Sequence, residues 1–396
     1  MNAILPPRIE YRPVALSNAR VALLQVSIWP TRRSMLEHIS DHVGHLRVLI
    51  STASEPDRPW SLARGRLDVV TQKTISLVSH WRSSLGHRSK QYVCFPIDSY
   101  FQLQRFRPDV VVSLELGFRT LMACIYRITH RGVPLIIWVC MTEEQQKGYR
   151  PFRRLLRKVL IRCADAIVAN GSSAKRCMLE LGYPEERIFI VPTVCDLGPF
   201  LSIRSVPPVV GVRHLVYVGQ LIVRKGLLPF LARLDVFARN NPSLRIVFEV
   251  YGYGPLQKLI LEATSSSNLT VLYMGSLSVD ELPKAYSSAD IFAFPTLSDE
   301  WGLVVNEAMA SGVPVLGSRY SQAVEELVED GSTGWLFAPD NVIELDGAIK
   351  RALQTPNEAL LSMGQRARQA VRRVFPDRAA DAMLHAINCV LGQNAP

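Results

Sequence analysis

Three side chains stand out for the chemistry their types and spacing permit. Asp299 and Glu307 lie eight positions apart within SDEWGLVVNEAMASGVPVL, residues 298 to 316. Lys225 follows Arg224 directly in the basic turn GQLIVRKG, residues 219 to 226. A carboxylate accepts two hydroxyl hydrogen bonds, so a pair of them suits the hydroxyls of a sugar or ribose. A lysine and an arginine at a strand-to-helix turn, joined by open helix amides, suit a diphosphate. Gly219, Gly252 and Gly254, the last two in YGYGPL at 251 to 256, permit tight turns that bring backbone close to such a ligand.

Positioning these groups demands a particular set of elements. Eight positions is a little over two helical turns, so two helical side chains at that spacing would stand about 80° apart. The pattern therefore predicts Asp299 in the loop before a helix and Glu307 on it, both facing a cleft above a sheet. Around them, short apolar runs alternate with helical patterns, the signature of parallel sheets covered on both faces. In the first half, strands are predicted at 21–26, 46–51, 109–115, 134–139, 165–170 and 188–192. Helices are expected around 33–43, 118–130, 151–163 and 173–181. In the second half, strands are predicted at 214–219, 245–252, 269–275, 291–295, 313–317 and 334–338. Two helices close the chain near 357–374 and 377–391. Pro, Gly and Ser cluster at 197–211 and predict the boundary between the halves. The expected domains are 1–203, 204–376 and a C-terminal helix, 377–396, that packs back on the first domain.

Composition restricts the function classes. The chain has 396 residues, 48% hydrophobic and 20% charged, enough for two domains with full cores. No apolar run is long enough to cross a bilayer, and the first residues show no secretory signal pattern. The seven cysteines are scattered with no CxxC, which predicts a reducing, cytoplasmic setting and no metal set. The net charge of +10 suits an anionic nucleotide substrate or membrane surface. No nucleic-acid-binding module or aromatic-basic stripe accompanies it.

The order and spacing of these motifs resemble the donor site of the family 4 retaining glycosyltransferases, the glycosyl transferases group 1. That family reads Glu, seven residues, Glu where this chain has Asp299 and Glu307, with Glu300 beside the shorter acid. The resemblance extends over nearly the whole chain. It implies an α/β GT-B fold, two doubly wound Rossmann-like domains facing a central cleft. It assigns Lys225 to the donor diphosphate, Glu307 to the ribose hydroxyls and Asp299 to the sugar hydroxyls. Gly219, Gly252 and Gly254 become the turns beneath the nucleotide, and Gly302, Leu303 and Val304, leading into the helix bearing Glu307, further nucleotide-sugar-binding positions. The family often has Arg where Gln220 stands, so Arg224 is expected as the second diphosphate clamp. In MGSLSVDELPKAYSSADIFAFPT, residues 274 to 296, Met274 to Leu277 would meet the base edge. Tyr286, Ala289 and Asp290 read as packing and capping. In GSRYSQAVEEL, 317 to 327, Ser318 and Ser321 are candidate helix caps, Arg319 a candidate phosphate contact and Glu326 structural. Gln322 and Ala323 stand where the family often has two glycines.

The first domain departs further from the family. QVSIWPTRRSMLEH has no Gly pair after the first strand, and CMTEEQ follows the strand near 140 where a His is often found. Glu143 is the nearest candidate acceptor-side contact. KGYRPFRRLLRKVLIRC, 147 to 163, carries seven cations among apolar positions at helical spacing. It reads either as a core helix with a charged solvent face or as a helix docking on an anionic membrane.

The resulting expectation is a cytoplasmic, metal-independent retaining transferase with no cofactor. It would move a sugar from a nucleotide-diphosphate sugar to a hydroxyl of a glycan or lipid-linked polysaccharide precursor. A chain with two acids also suggests glycoside hydrolysis, but this pair sits in a nucleotide-site frame. Two alternatives stay open: a GT-B sugar-nucleotide epimerase, and a non-catalytic homologue that binds sugar nucleotide.

Overall fold

The computed structural model describes residues 15–53, 64–82, 88–146, 151–203, 208–262, 266–278 and 280–392. The chain divides into two compact units, 1–195 with 376–396, and 196–375.

The first unit runs β1 (Arg20–Gln25), α1 (Pro30–His42), β2 (His45–Ile50), β3 (Asp68–Thr71), β4 (Thr74–Arg82), β5 (Arg88–Pro96), α2 (Ser99–Phe106), β6 (Val110–Leu114) and α3 (Phe118–Thr129). It continues with β7 (Leu135–Val139), α4 (Glu143–Gln146), α5 (Pro151–Arg162), β8 (Ala166–Ala169), α6 (Ser172–Glu180) and β9 (Ile188–Ile190). Seven strands form a parallel sheet in the order β3-β2-β1-β6-β7-β8-β9. β6, β7 and β8 are buried along their full length, as strands covered on both faces must be. Alternate residues serve opposite faces. Ala22 and Leu24 join Val111, Leu135, Ile137 and Val139 in one core beneath α2, α3 and α5. Gln25, Leu114 and Trp138 fall on the other face.

The second unit runs α7 (Gly198–Leu201), β10 (Val212–Val218), α8 (Leu227–Asn240), β11 (Arg245–Tyr251), α9 (Gln257–Leu261), β12 (Leu269–Gly275), α10 (Leu282–Ser287) and β13 (Ile291–Phe294). Then come α11 (Leu303–Ala310), β14 (Val315–Ser318), α12 (Gln322–Leu327), β15 (Gly334–Phe337), α13 (Val342–Gln354) and α14 (Asn357–Ala370). Its parallel sheet has the order β12-β11-β10-β13-β14-β15. The last helix, α15 (Pro376–Val390), returns to the first unit and packs on α1, β8 and β9.

In each sheet the strand order reverses once, between β1 and β6 and between β10 and β13. Such switch points open a crevice at the carboxyl ends of the strands. Four elements, β3, β4, β5 and α2, are among those not anticipated from sequence. DVVT is too short for a period to show, and β4 and β5 form a separate antiparallel hairpin that leaves Ile75, Leu77 and Val78 exposed. The fourth, α2, is a two-turn helix. The unit boundary falls at Asp196 rather than after residue 203, because α7 packs on α11 and Phe200 meets Tyr286 edge-on, 5.8 Å between centroids.

Candidate functional site

The candidate site of the second unit grows from the β10/β13 switch point. After β10 the chain turns at Gly219, whose amide donates to Tyr251 O at 3.0 Å, while Leu221 N donates to Tyr253 O at 2.8 Å. The turn after β11 thus lies directly against the turn after β10. Gly252, at φ 137°, has no alternative: a Cβ there would sit 1.8 Å from Gly219 O. Gly254 lies against Leu221 in the same way. Pro255 does not open the next helix; α9 begins two residues later, at Gln257, after a turn. Met274 stands near the end of β12 with its side chain 46% exposed, and the adjacent Gly275 O accepts from Gly252 N at 2.8 Å.

Residues 223 to 225 form a single 3-10 turn, and Gly226 at φ 66° starts α8. This places Lys225 inside, 9% exposed, with its ammonium ion-paired to Asp299 and 5.2 Å from the Phe294 ring centroid. Arg224 donates to Ser298 O at 2.6 Å and reaches Asp299 at 4.0 Å. Leu297 N returns a bond to Arg224 O at 2.8 Å. The loops after β10 and β13 are therefore stitched together by backbone as well as by charge.

Asp299 lies in the loop before α11, anchored by its amide to Tyr320 O at 2.9 Å. Burial pushes its carboxyl up, but Lys225 first and then Arg224 pull it below the ordinary value. Glu307 lies on α11, 8% exposed, and accepts from Tyr286 Oη at 2.9 Å. Burial pushes its carboxyl up to about 7 against the Tyr286 bond. The two acids thus differ: one is held ionised by cations, the other is poised to titrate near neutrality. Tyr286, read from sequence as packing, is also the group that orients Glu307. Its contact spans 21 residues, so no local pattern announces it.

Between the acids, Gly302 caps α11 at φ 105°, and Leu303 and Val304 form the first turn, where helix amides lack intrahelical partners. Ser321 caps α12 by accepting from Val324 N at 3.5 Å, and donates to Trp301 O at 2.5 Å. Ser318 instead ends β14 and accepts from Tyr320 N at 3.1 Å. Gln322 is buried in the first turn of α12 and donates to Glu300 O at 3.2 Å, tying the two loops together. Arg319 is exposed at the start of the β14–α12 loop, directly after β14.

Two further candidate features belong to the first unit. Glu143, on α4, is engaged by Arg176 at 2.7 Å and by Ser173, so its carboxylate serves to hold α4 on α6. Of the basic stretch 147–163, residues 147 to 150 lie outside the described residues. On α5, Phe152 is 78% exposed, with Leu155, Leu156 and Val159 also exposed, while Leu160 and Ile161 are buried.

The paired Rossmann-like units define a GT-B protein. Solved structures agree at the level of fold. The lipopolysaccharide outer core galactosyltransferase WaaB, 13% identical, has a TM-score of 0.68 over 93% of this chain and 99% of its own. HepE from Anabaena, solved in complex with UDP, is 16% identical with a TM-score of 0.67 over 93% and 99%. Residues 45–198 match the model for Glycosyltransferase Family 4, and residues 212–355 that for Glycosyl transferases group 1. The chain belongs to the family 4 glycosyltransferases. Among curated relatives, MMP alpha-(1->4)-mannosyltransferase of Mycolicibacterium hassiacum is 27% identical over 60% of this chain and 56% of its own length. Sulfoquinovosyl transferase of Arabidopsis thaliana is 33% identical over 40% of this chain and 30% of its own, and glycogen synthase of Mycobacterium tuberculosis 28% over 69% and 66%. The chain thus spans between about a third and two thirds of the curated relatives it matches.

Proposed function

We propose that this protein is a retaining glycosyltransferase that uses a nucleotide-diphosphate sugar as co-substrate. The carrying observation is the Lys225–Asp299 pair at the β10/β13 switch point, with a buried Glu307 on the next helix. Lys225, Arg224 and the first amides of α8 offer positive charge to a leaving diphosphate. Binding there would exchange the Lys225–Asp299 contact for phosphate oxygens and release Asp299 toward the sugar hydroxyls. Glu307 would accept from the ribose. The charge comes from side chains and helix ends, which makes a metal-independent reaction the natural reading. HepE was solved with UDP and with UDP-glucose, which favours UDP as the first nucleotide to try.

The acceptor is a hydroxyl of a glycan or lipid-linked polysaccharide precursor, met from the cytoplasmic side. The exposed apolar and basic face of α5 supports peripheral docking on an anionic inner leaflet. A panel of labelled sugar nucleotides, with and without EDTA, tests the reading. Transfer or slow donor hydrolysis with the anomeric configuration kept supports it. An altered sugar would make the protein an epimerase, and binding without turnover a silent homologue.

A further inference from the structure

The first unit repeats the geometry of the second: its sheet also reverses order, at β1/β6, and this second switch point is lined by buried polar groups that the donor chemistry leaves unused. Arg32, in the first turn of α1, is 3% exposed. Its guanidinium lies over the rings of Trp29 and Trp138, 4.8 and 4.7 Å from their centroids, and donates to Cys140 Sγ at 3.7 Å. Arg119, in the first turn of α3, is 5% exposed and donates to Leu114 O and Ser51 Oγ, both at 3.3 Å. Leu114 and Trp138 are direct register partners on β6 and β7. The two guanidiniums therefore converge on one residue pair from helices that follow different strands.

Their hydrogen-bonding capacity is not used up. Among the described residues, the Nε of Arg32 and the Nε of Arg119 have no partner, nor do Trp138 Nε1 or either amide atom of Gln25, a residue 0% exposed at the end of β1. Among the described residues, neither arginine has a carboxylate in ion-pairing contact. Glu115 stands nearby, exposed and at φ 66°, and its charge is felt by Arg119. The caps of α1 and α3 make no side-chain bond, and neither helix has an acid in its first turn. A Cβ on exposed Gly117, the cap of α3, would meet nothing within 4 Å. Buried charge without a counter-charge is costly, and two positive helix ends add to it. A ligand anion supplies the missing counter-charge for both guanidiniums and an acceptor for the open helix amides.

We propose that the β1/β6 switch point binds a phosphate group carried by the acceptor, held by Arg32 and Arg119. This rests on the transferase reading for the word acceptor, but its test does not require turnover. With the donor site saturated by UDP, titration of inorganic phosphate into the full chain is followed by calorimetry. Saturable binding in the millimolar range or tighter is expected. Arg32→Gln and Arg119→Gln should each weaken it about ten- to a hundredfold, with UDP affinity and melting temperature kept. Arg32→Lys, which restores the charge, should recover part of it. Absence of phosphate binding beside bound UDP, or binding by both Gln variants as tight as the parent's, overturns the proposal. Glycerol phosphate in solution and short-chain phosphatidic acid separate the two sources of the group. Competition by either with inorganic phosphate supports the site and names its source; competition by neither overturns it. Loss of UDP binding by the parent chain would instead strike at the donor-site reading.

Discussion

Glu307 and Lys225 are two ionisable groups with opposite environments, and each yields a measurable consequence. Among the described residues no cation stands beside Glu307 to offset burial, which pushes its carboxyl up to about 7. Only the ionised form accepts from both ribose hydroxyls. UDP affinity should fall about tenfold per pH unit below 7 as the competent fraction shrinks. Glu307→Gln keeps the shape but cannot ionise, and the ratio of the two affinities removes the nucleotide's own titration. A ratio flat from pH 5 to 8 would rule the ribose role out. The sign for stability is opposite to that of an ion-paired acid. The folded protein binds the extra proton, so the apo chain loses stability as pH rises from about 4.5 to 7. Thermal melts of the Gln variant should lack that slope. For Lys225, truncation to Ala removes a charge aimed at the leaving group and leaves the largely buried Asp299 without its main partner. Turnover should drop roughly ten- to a thousandfold, and near-normal rates would sink the assignment.

At the level of elements, two turns and one helix carry the argument. The turns after β10 and β11 touch through backbone alone, with room for no side chain at Gly252. Gly252→Ala must shift one strand end, and should cost about 1–3 kcal/mol of stability along with UDP affinity. A melting profile unchanged from the parent would show that the turns separate without cost. The helix is α5. Its surface presents Phe152, Leu155, Leu156 and Val159 together with Arg153 and Arg154, which a simple charged solvent face would not do. Each cation near an anionic leaflet contributes about 1 kcal/mol, fading with salt. Sedimentation with phosphatidylglycerol vesicles should be salt-sensitive and lost when Arg153, Arg154, Arg157 and Lys158 become Ser. Equal pelleting with neutral vesicles would contradict it.

On the scale of the whole chain, the division into two units makes a separable prediction. The last helix belongs to the first unit, where Ala379, Ala380, Met383, Leu384, Ala386 and Ile387 are buried. Ending the chain at Phe375 uncovers that face of α1, β8 and β9, and the first unit should lose cooperative unfolding and become protease-sensitive. Residues 196–375 keep their own core and the candidate donor site, so UDP binding should persist within a few fold. Loss of both together, by calorimetry and limited proteolysis, would mean that the units do not fold independently.

How much of this was legible in the sequence follows from the range of each interaction. The long buried strands and most helices announce themselves because their signal is local: continuous β-branched runs and period-3.6 faces. The GQLIVRKG and SDEWGLVVNE motifs were legible as well, since turn glycines and the residues they serve are neighbours in the chain. What lacked a local period went unseen, as with the four-residue β3 and the β4–β5 hairpin, whose Ile75, Leu77 and Val78 are exposed. Pairings across long separations were decided by the tertiary structure alone. Lys225 meets Asp299 across 74 residues and Tyr286 meets Glu307 across 21. Arg119 reaches Ser51 across 68. A sequence states which charges a chain owns; burial and strand order decide which of them are left to face a ligand.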